Sequence, residues 1–265
     1  MTSFRTLFVL AVVALSAGLG PALAQAQEGN PEKIEIGLST DLIAITADFS
    51  GADLTIFGAL DNADPLINRQ GRYDVIVVLE GPARPVVVRR KDRVFGVWMN
   101  TVSETFVNVP VSYAVATTRQ MQDITDANNY RQLSLGAENL YVEPLDRTEA
   151  PATIEEFTRA LRDRKKASGL YNERIGGVQF LSQNLFRATV SLAPNIPVGT
   201  HKARAFLFRN GVFLMETSAP LAIVKSGFEQ WVYRSSIDYG LPYGIFAVAL
   251  AMLTGWLGRI VFRRD

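Results

Sequence analysis

His201 is the one histidine in a chain of 265 residues that contains no cysteine. Those counts limit the chemistry before any fold is considered. A serine hydrolase needs an imidazole to take the hydroxyl proton, so such a site would have to be built on His201. No G-x-S-x-G elbow accompanies it. Zinc sites assembled from several imidazoles or thiolates are excluded by the same counts. In "THKARAFLFR", alternation places His201 on one face with Ala203, Ala205 and Leu207. That reads as a core face holding a structural histidine. Catalysis by paired carboxylates would not need histidine. The acids of "DNADP" and "TDLIAITAD" instead read as turn and strand-edge residues, at spacings that place no pair. The oxygens of "DITDANN" have the chemistry of calcium ligands but lack the twelve-residue order and closing Glu of a calcium loop. "ERIGGVQF" puts two glycines before a strand pattern rather than a helix, so it reads as a turn and not a phosphate cradle. The expectation is a protein that is not an enzyme, with no catalytic, cofactor-binding or metal-binding residue.

Two constellations remain. "RRKDR" gathers Arg89, Arg90, Lys91 and Arg93 where one apolar run ends and the next begins, as on a hairpin cap. Such cations can hold an anion or meet anionic lipid headgroups. They can equally be a solvated turn or protect a sheet edge. "RDRKK", Arg162 to Lys166, closes a helical pattern, and complementing the helix dipole accounts for it. The second constellation lies in "LPYGIFAVALAMLTGWLGRIVFRRD". Gly244, Ala247, Ala251, Gly255 and Gly258 recur at spacings of three or four. They form a face with little side chain, by which membrane helices approach one another closely. Gly and Ala are also common in membrane helices without that role.

The last stretch carries its own positioning element. Tyr239 to Gly258 is a run of 20 uncharged residues. At about 1.5 Å per residue it reaches roughly 30 Å, the thickness of a bilayer's hydrocarbon core. Tyr239, Tyr243 and Trp256 lie near its ends, where amphipathic rings favour the headgroups. Arg259, Arg263 and Arg264 follow it, whereas the charges just before it cancel. The expectation is a transmembrane helix over 239–262 with a cytoplasmic tail, 263–265. The opening "MTSFRTLFVLAVVALSAGLGPALAQAQ" has a basic Arg5, an apolar run from Leu7 to Leu15, and Ala22-Leu23-Ala24. That predicts a secretory signal peptide, residues 1–24, with Ala26 as the alternative cleavage point. The expected location is the bacterial inner membrane, with the N-terminal region periplasmic and membrane lipid as one partner. Setting aside Arg5, Arg259, Arg263, Arg264 and Asp265 leaves 23 basic and 25 acidic residues. That near-balance argues against nucleic acid as a partner.

Between these segments, short runs rich in Val, Ile, Phe and Thr recur from Lys33 to about Arg119, separated by Gly, Pro, Asn and Asp. Their spacing predicts a β-sandwich over 33–119. In "DLTIFGAL", Leu54, Ile56 and Gly58 share one face and Phe57 the other. Residues 120–172 read as a helical and loop connector. Its clearest helix is "PATIEEFTRALRDRKKASG", with Thr153 and Glu156 as a capping box, Ile154, Phe157 and Leu161 on one face, and Gly169 as the stop. A second β region spans 173–226. Asn210-Gly211 marks a tight hairpin within it, since both turn positions need positive φ. In "NIPVGTHKARAFLF", His201 stands where a tyrosine often ties down the corner of an Ig-like sandwich. The fold class expected is therefore mainly β, with Ig-like antiparallel sandwich character, a helical middle segment and one C-terminal transmembrane helix. One β domain and two both remain open at this point.

"VVVRRKDRVFGVWMNT", "VPVSYAVATTR", "LFRATVSLAPNIPVGTHKARAFLFRNG" and "GWLGRIVFRRD" together resemble the alphaproteobacterial putative transmembrane protein family. The resemblance runs from about Lys33 to the end of the chain. It implies a signal, a periplasmic region and one C-terminal span, and it supplies no catalytic residue. It also implies a permease of the sulfite-exporter-like kind as a partner. The function expected is a single-pass, non-catalytic accessory or interaction subunit of a membrane complex. Its small-residue face would pack on another integral membrane protein or on a second copy. The alternatives are a periplasmic receptor for an anion or solute, built on the 89–93 hairpin, and an envelope enzyme.

Overall fold

The computed structural model describes residues 31–146 and 150–261. The expected signal peptide and cytoplasmic tail lie outside the described residues, as do the side chains of Phe228 and Trp231.

Two sheets face each other. In the first, β1 (Lys33–Leu38), β3 (Ala52–Asp61), β10 (Val178–Phe180) and β11 (Leu185–Leu192) pair antiparallel in the order β1-β3-β11-β10. The second contains β2 (Leu42–Ile45), β4 (Tyr73–Glu80), β7 (Tyr113–Thr117), β9 (Tyr171–Ile175), β12 (Gly199–Arg209) and β13 (Val212–Lys225). Its order is β2-β13-β12-β4-β7-β9. The edge pairs β2 with β13 and β9 with β7 run parallel, and the inner pairs antiparallel.

Period-two alternation explains which sides meet. Leu54, Ile56 and Leu60 of β3 turn inward with Phe186, Ala188 and Val190 of β11. Val75, Val77 and Leu79 of β4 and Ala203, Ala205 and Leu207 of β12 answer from the other sheet. Phe57 points outward, as the alternation requires. Gly58 must lack a side chain. A Cβ there would overlap the Phe186 ring and come within 2.8 Å of the Glu35 carbonyl oxygen.

Strand β4, "YDVIVVLE", is buried along nearly its whole length because its second face is covered too. Ile76, Val78, Val115, Phe206 and Phe208 pack there against Ile124, Tyr130, Leu135 and Leu140. Those last four come from the connector. There α2 (Met121–Ile124), α3 (Ala127–Gln132) and a 3-10 turn, Ala137–Asn139, lie against the sheet. The earlier α1 (Pro65–Arg69) is a single turn whose N-cap is Asp64 of "DNADP".

The 33–119 and 173–226 regions do not form separate sheets. β3 pairs with β11, and β4 is hydrogen-bonded to β12 on one side and β7 on the other. Strands of either region alone would leave the apolar inner faces without a covering layer, so the two regions complete one sandwich.

A long hairpin forms an arm. Its strands are β5 (Ala83–Val94) and β6 (Val97–Pro110), with β8 (Glu143–Pro144) paired to Phe106 and Val107. Helix α4 (Pro151–Ala167) packs on the arm through Phe157 and Leu161, with Ile154, against Phe106, Val109, Val86, Val88 and Val102. The helix begins earlier than a Thr153–Glu156 capping box would have it. Ala150 is its N-cap, without a side-chain bond, and Pro151 occupies the first turn. Its fixed φ suits that position. Glu156 is thereby released to pair with Arg90 of the arm at 3.5 Å. Gly169 ends the helix at φ 74°. After β13 come α5 (Phe228–Asp238) and α6 (Gly240–Val261).

Candidate functional site

His201 is fully buried, among the inward alanines and leucine of β12. Its Nδ1 lies 3.2 Å from the Gly199 carbonyl oxygen. A carbonyl can only accept, so Nδ1 carries the proton. Its Nε2 is then an acceptor, and Ser112 Oγ, at 3.0 Å, donates to it. The direction of that bond is the one a serine nucleophile would make. The surroundings are not those of a reaction site, because Ser112 is itself buried and borders a void of only about 10 Å³. That void has room for about one water. Burial pushes the imidazole pKa down. The pair ties the start of β7 to β12. Gly81 must be bare to let it form, since a Cβ there would sit 2.6 Å from Ser112 Oγ and 3.0 Å from His201 Nε2. Ser112 was not legible as the partner, lying 89 residues away in sequence.

Acids across the fold are engaged in structural bonds, Asp126 of "DITDANN" among them. Asp126 caps α3 by accepting from Asn129 N at 2.8 Å. Asp74, 2% exposed, is held by both nitrogens of the Arg119 fork, at 2.9 and 2.6 Å, and by Thr118 Oγ1 at 2.8 Å. Arg204 grips Glu216 with two bonds of 2.7 and 3.1 Å and stands 3.6 Å from Glu80. The guanidinium holds the Glu216 carboxyl below its ordinary pKa. Among the described residues, no three or more His, Asp or Glu side chains converge as metal ligands.

The cationic cluster is not a hairpin cap. Arg89 to Arg93 lie within β5, and the turn comes later, at Phe95 and Gly96, with φ of 50° and 85°. Both central residues of a two-residue hairpin turn need positive φ, which Gly accepts and Phe resists. The Phe concealed the turn in the sequence. The structure also divides the cluster. Arg90 faces α4, at 3.3 Å from Asp92 and 3.5 Å from Glu156. Arg89, Lys91 and Arg93 share the opposite, exposed face. Trp98 stands directly across from Arg93 on that face. Phe95 is fully exposed, and Val97, Trp98 and Met99 more than half exposed. These apolar tip residues were missed as a functional group. Their signal was the unbroken apolar run on both sides of Gly96.

Helix α6 contains a 20-residue segment, Gly240–Arg259, long and apolar enough to cross a membrane, none of it buried against the rest of the protein. Leu241, Ile245, Phe246, Val248, Leu253 and Trp256 are exposed along it. Gly244, Ala247, Ala251, Gly255 and Gly258 all lie on this helix, and a Cβ added at any of the three glycines meets nothing within 4 Å. A cleft of about 750 Å³ lies where β13 gives way to α5, lined by Arg84, Val198, Gly199, Ile223, Lys225 and Tyr233.

A mostly β, sandwich-like body joined to an apolar helix of membrane-crossing length, the single candidate span among the described residues, defines the class as a membrane protein. The chain belongs to the family described as "Putative transmembrane protein (Alph_Pro_TM)", whose sequence profile matches residues 33–264. No curated protein matches the chain. Among solved structures it is similar to AggA, the major subunit of aggregative adherence fimbriae type I from Escherichia coli. The identity is 11%, over 74% of this chain and 97% of that one, with a TM-score of 0.26. A likeness at that score carries no argument here.

Proposed function

We propose that the protein is a non-catalytic accessory subunit of an inner-membrane complex. α6 would be its single span, the β body would lie in the periplasm, and the C-terminus would be cytoplasmic. The observation that carries the reading is the exposure of α6. A helix with no polar face and no covering layer in its own chain is stable only in lipid or against another apolar surface. The Gly244-Ala247-Ala251-Gly255-Gly258 face offers close backbone approach to a second helix, with Ile245, Phe246 and Leu253 turned to lipid. The partner class this favours is a polytopic membrane protein, of which a sulfite-exporter-like permease is one kind. A folded body on a short tether then works at high effective concentration beside that partner.

The test is purification of the full chain in mild detergent, with mass spectrometry of what accompanies it, beside an Ala251→Leu, Gly255→Leu double variant. A polytopic protein retained by the wild type and lost from the variant is the expected result. A chain that purifies alone in both forms, or one whose partner survives both bulky substitutions, refutes packing through this face.

A further inference from the structure

The arm needs its own account, because nothing in α6 explains it. β5 and β6 run on past the part that α4 covers, which reaches Arg90, and they end in exposed apolar residues beside cations. Topology fixes where the arm starts. Glu80 at the end of β4 pairs with Lys202 near the start of β12, and Gly199 pairs with Ile223 near the end of β13. Arg84, at the root of the arm, donates to the Val198 carbonyl oxygen. The arm therefore springs from the same end of the sandwich at which the chain departs toward α5 and α6.

Its reach is sufficient. Twelve residues of β5 extend about 40 Å at about 3.3 Å each. The 11 residues of α5, even standing upright, span only about 17 Å. An arm rooted beside the tether is more than long enough to regain the surface that α6 enters.

The chemistry of the tip selects what it meets. Arg89, Lys91 and Arg93 form a cationic row on one face, and Trp98 closes that row. Val97 and Met99 lie on the other face, across from Val94 and Asp92, and Phe95 projects from the turn between them. Apolar groups thus stand on both faces and at the end of the hairpin. A flat protein surface would cover one face only, whereas a bilayer interface surrounds an inserted tip. An indole favours the headgroup level, and cations beside it meet phosphates. The segment 89–99 carries four cations against a single carboxylate, Asp92, which is engaged by Arg90 and Thr101.

We propose that the tip of the β5–β6 arm is a second membrane contact. Phe95, Val97, Trp98 and Met99 enter the interfacial layer of an anionic phospholipid bilayer, and Arg89, Lys91 and Arg93 pair with its phosphates. The inference rests on the reading of α6 as a span, and the arm then holds the β body at a set orientation to the membrane instead of letting it swing on α5.

The chain's lack of cysteine makes the test direct. Full-length Val97→Cys and Leu253→Cys variants are labelled with an environment-sensitive fluorophore. Each is reconstituted into vesicles of phosphatidylcholine alone or phosphatidylcholine with phosphatidylglycerol. Quenching by bromine on the acyl chains is compared with quenching by aqueous iodide. Lipid quenching at both positions is expected, with that at Val97 strengthened by phosphatidylglycerol. Neutralising each of Arg89, Lys91 and Arg93 should lower the docked-to-free ratio at Val97 by about five-fold. Phe95→Asn should weaken lipid quenching at Val97 while leaving the turn sound, because Asn tolerates the positive φ that Phe resists. A Val97 label open to iodide and untouched by bromolipid, with Leu253 quenched by lipid, overturns the arm contact and leaves the α6 span standing. A Val97 label shielded from both quenchers means that a protein surface covers the tip, and also overturns it. If neither position is quenched by lipid, both readings fall together.

Discussion

Lowering the pH from 7.5 to 5.5 should remove stability through His201 alone, up to a ceiling of about 1.4 kcal/mol. The imidazole has no exposure, its Nδ1 proton is directed at the Gly199 carbonyl and its Nε2 lone pair is filled by the Ser112 hydroxyl. Adding a proton at Nε2 would bury a charge and force the Ser112 hydroxyl to turn from donor to acceptor, and the burial depresses the folded pKa. In the unfolded chain the ring titrates near its ordinary value of about 6.5. The sign follows. Below about 6.5 the unfolded chain binds a proton that the native chain refuses, so stability is complete above that pH and declines as pH falls toward the depressed native pKa. A ring that stays neutral down to pH 5.5 loses RT times the logarithm of a tenfold change in unfolded-state binding, which is about 1.4 kcal/mol. The assay is urea unfolding of the full chain in detergent micelles at both pH values, beside His201→Gln, which keeps a polar group and titrates nothing. His201 is the chain's one histidine, and carboxylate effects common to both chains cancel in the difference. Equal pH dependence in the two chains would refute the reasoning. So would an imidazolium signal for the native chain at pH 5.5 in nitrogen-labelled NMR spectra.

Three further outcomes are expected. Gly58→Ala should destabilise the sandwich by about 1–3 kcal/mol in thermal unfolding, because the new methyl overlaps Phe186 and the Glu35 carbonyl blocks its escape. Arg119→Ala should cost about 2 kcal/mol by leaving the buried Asp74 carboxylate with Thr118 as its remaining side-chain donor. Adding Asp74→Asn to that variant should restore part of the loss, and no recovery would place the effect elsewhere. Asn210→Ala should cost about 1 kcal/mol in the same assay, because the β12–β13 turn holds this residue at φ 50°.

Local physics made several elements legible. The 20 uncharged residues from Tyr239 needed only their length to identify α6. Asn210-Gly211 declared its turn because its residues tolerate the required φ, and both adopt it. Ile154, Phe157 and Leu161 marked the buried side of α4 through helical period alone. His201 could be assigned to the core from strand alternation, without knowing what it would bond.

Other features depended on contacts between distant segments. The arm's turn was misplaced because its first residue is Phe95, whose unfavourable φ is held by the paired strands on either side. The N-terminus of α4 was misplaced because Glu156, locally fitted to cap a helix, finds Arg90 instead. The division of the cationic cluster into a paired Arg90 and an exposed Arg89-Lys91-Arg93 row follows from where α4 lies. By itself the sequence determined the candidate span, the strand character, the tight β12–β13 turn and the lack of thiol chemistry, all set by single residues or by periods of a few. Only the tertiary structure decided that β3 would pair with β11, that β4 would be enclosed by β7 and β12, that Ser112 would meet His201, and that an apolar tip would stand out from the body. Those outcomes rest on complementary faces more than a hundred residues apart in the widest case. No local preference encodes them, and they appear only when the loops between them close.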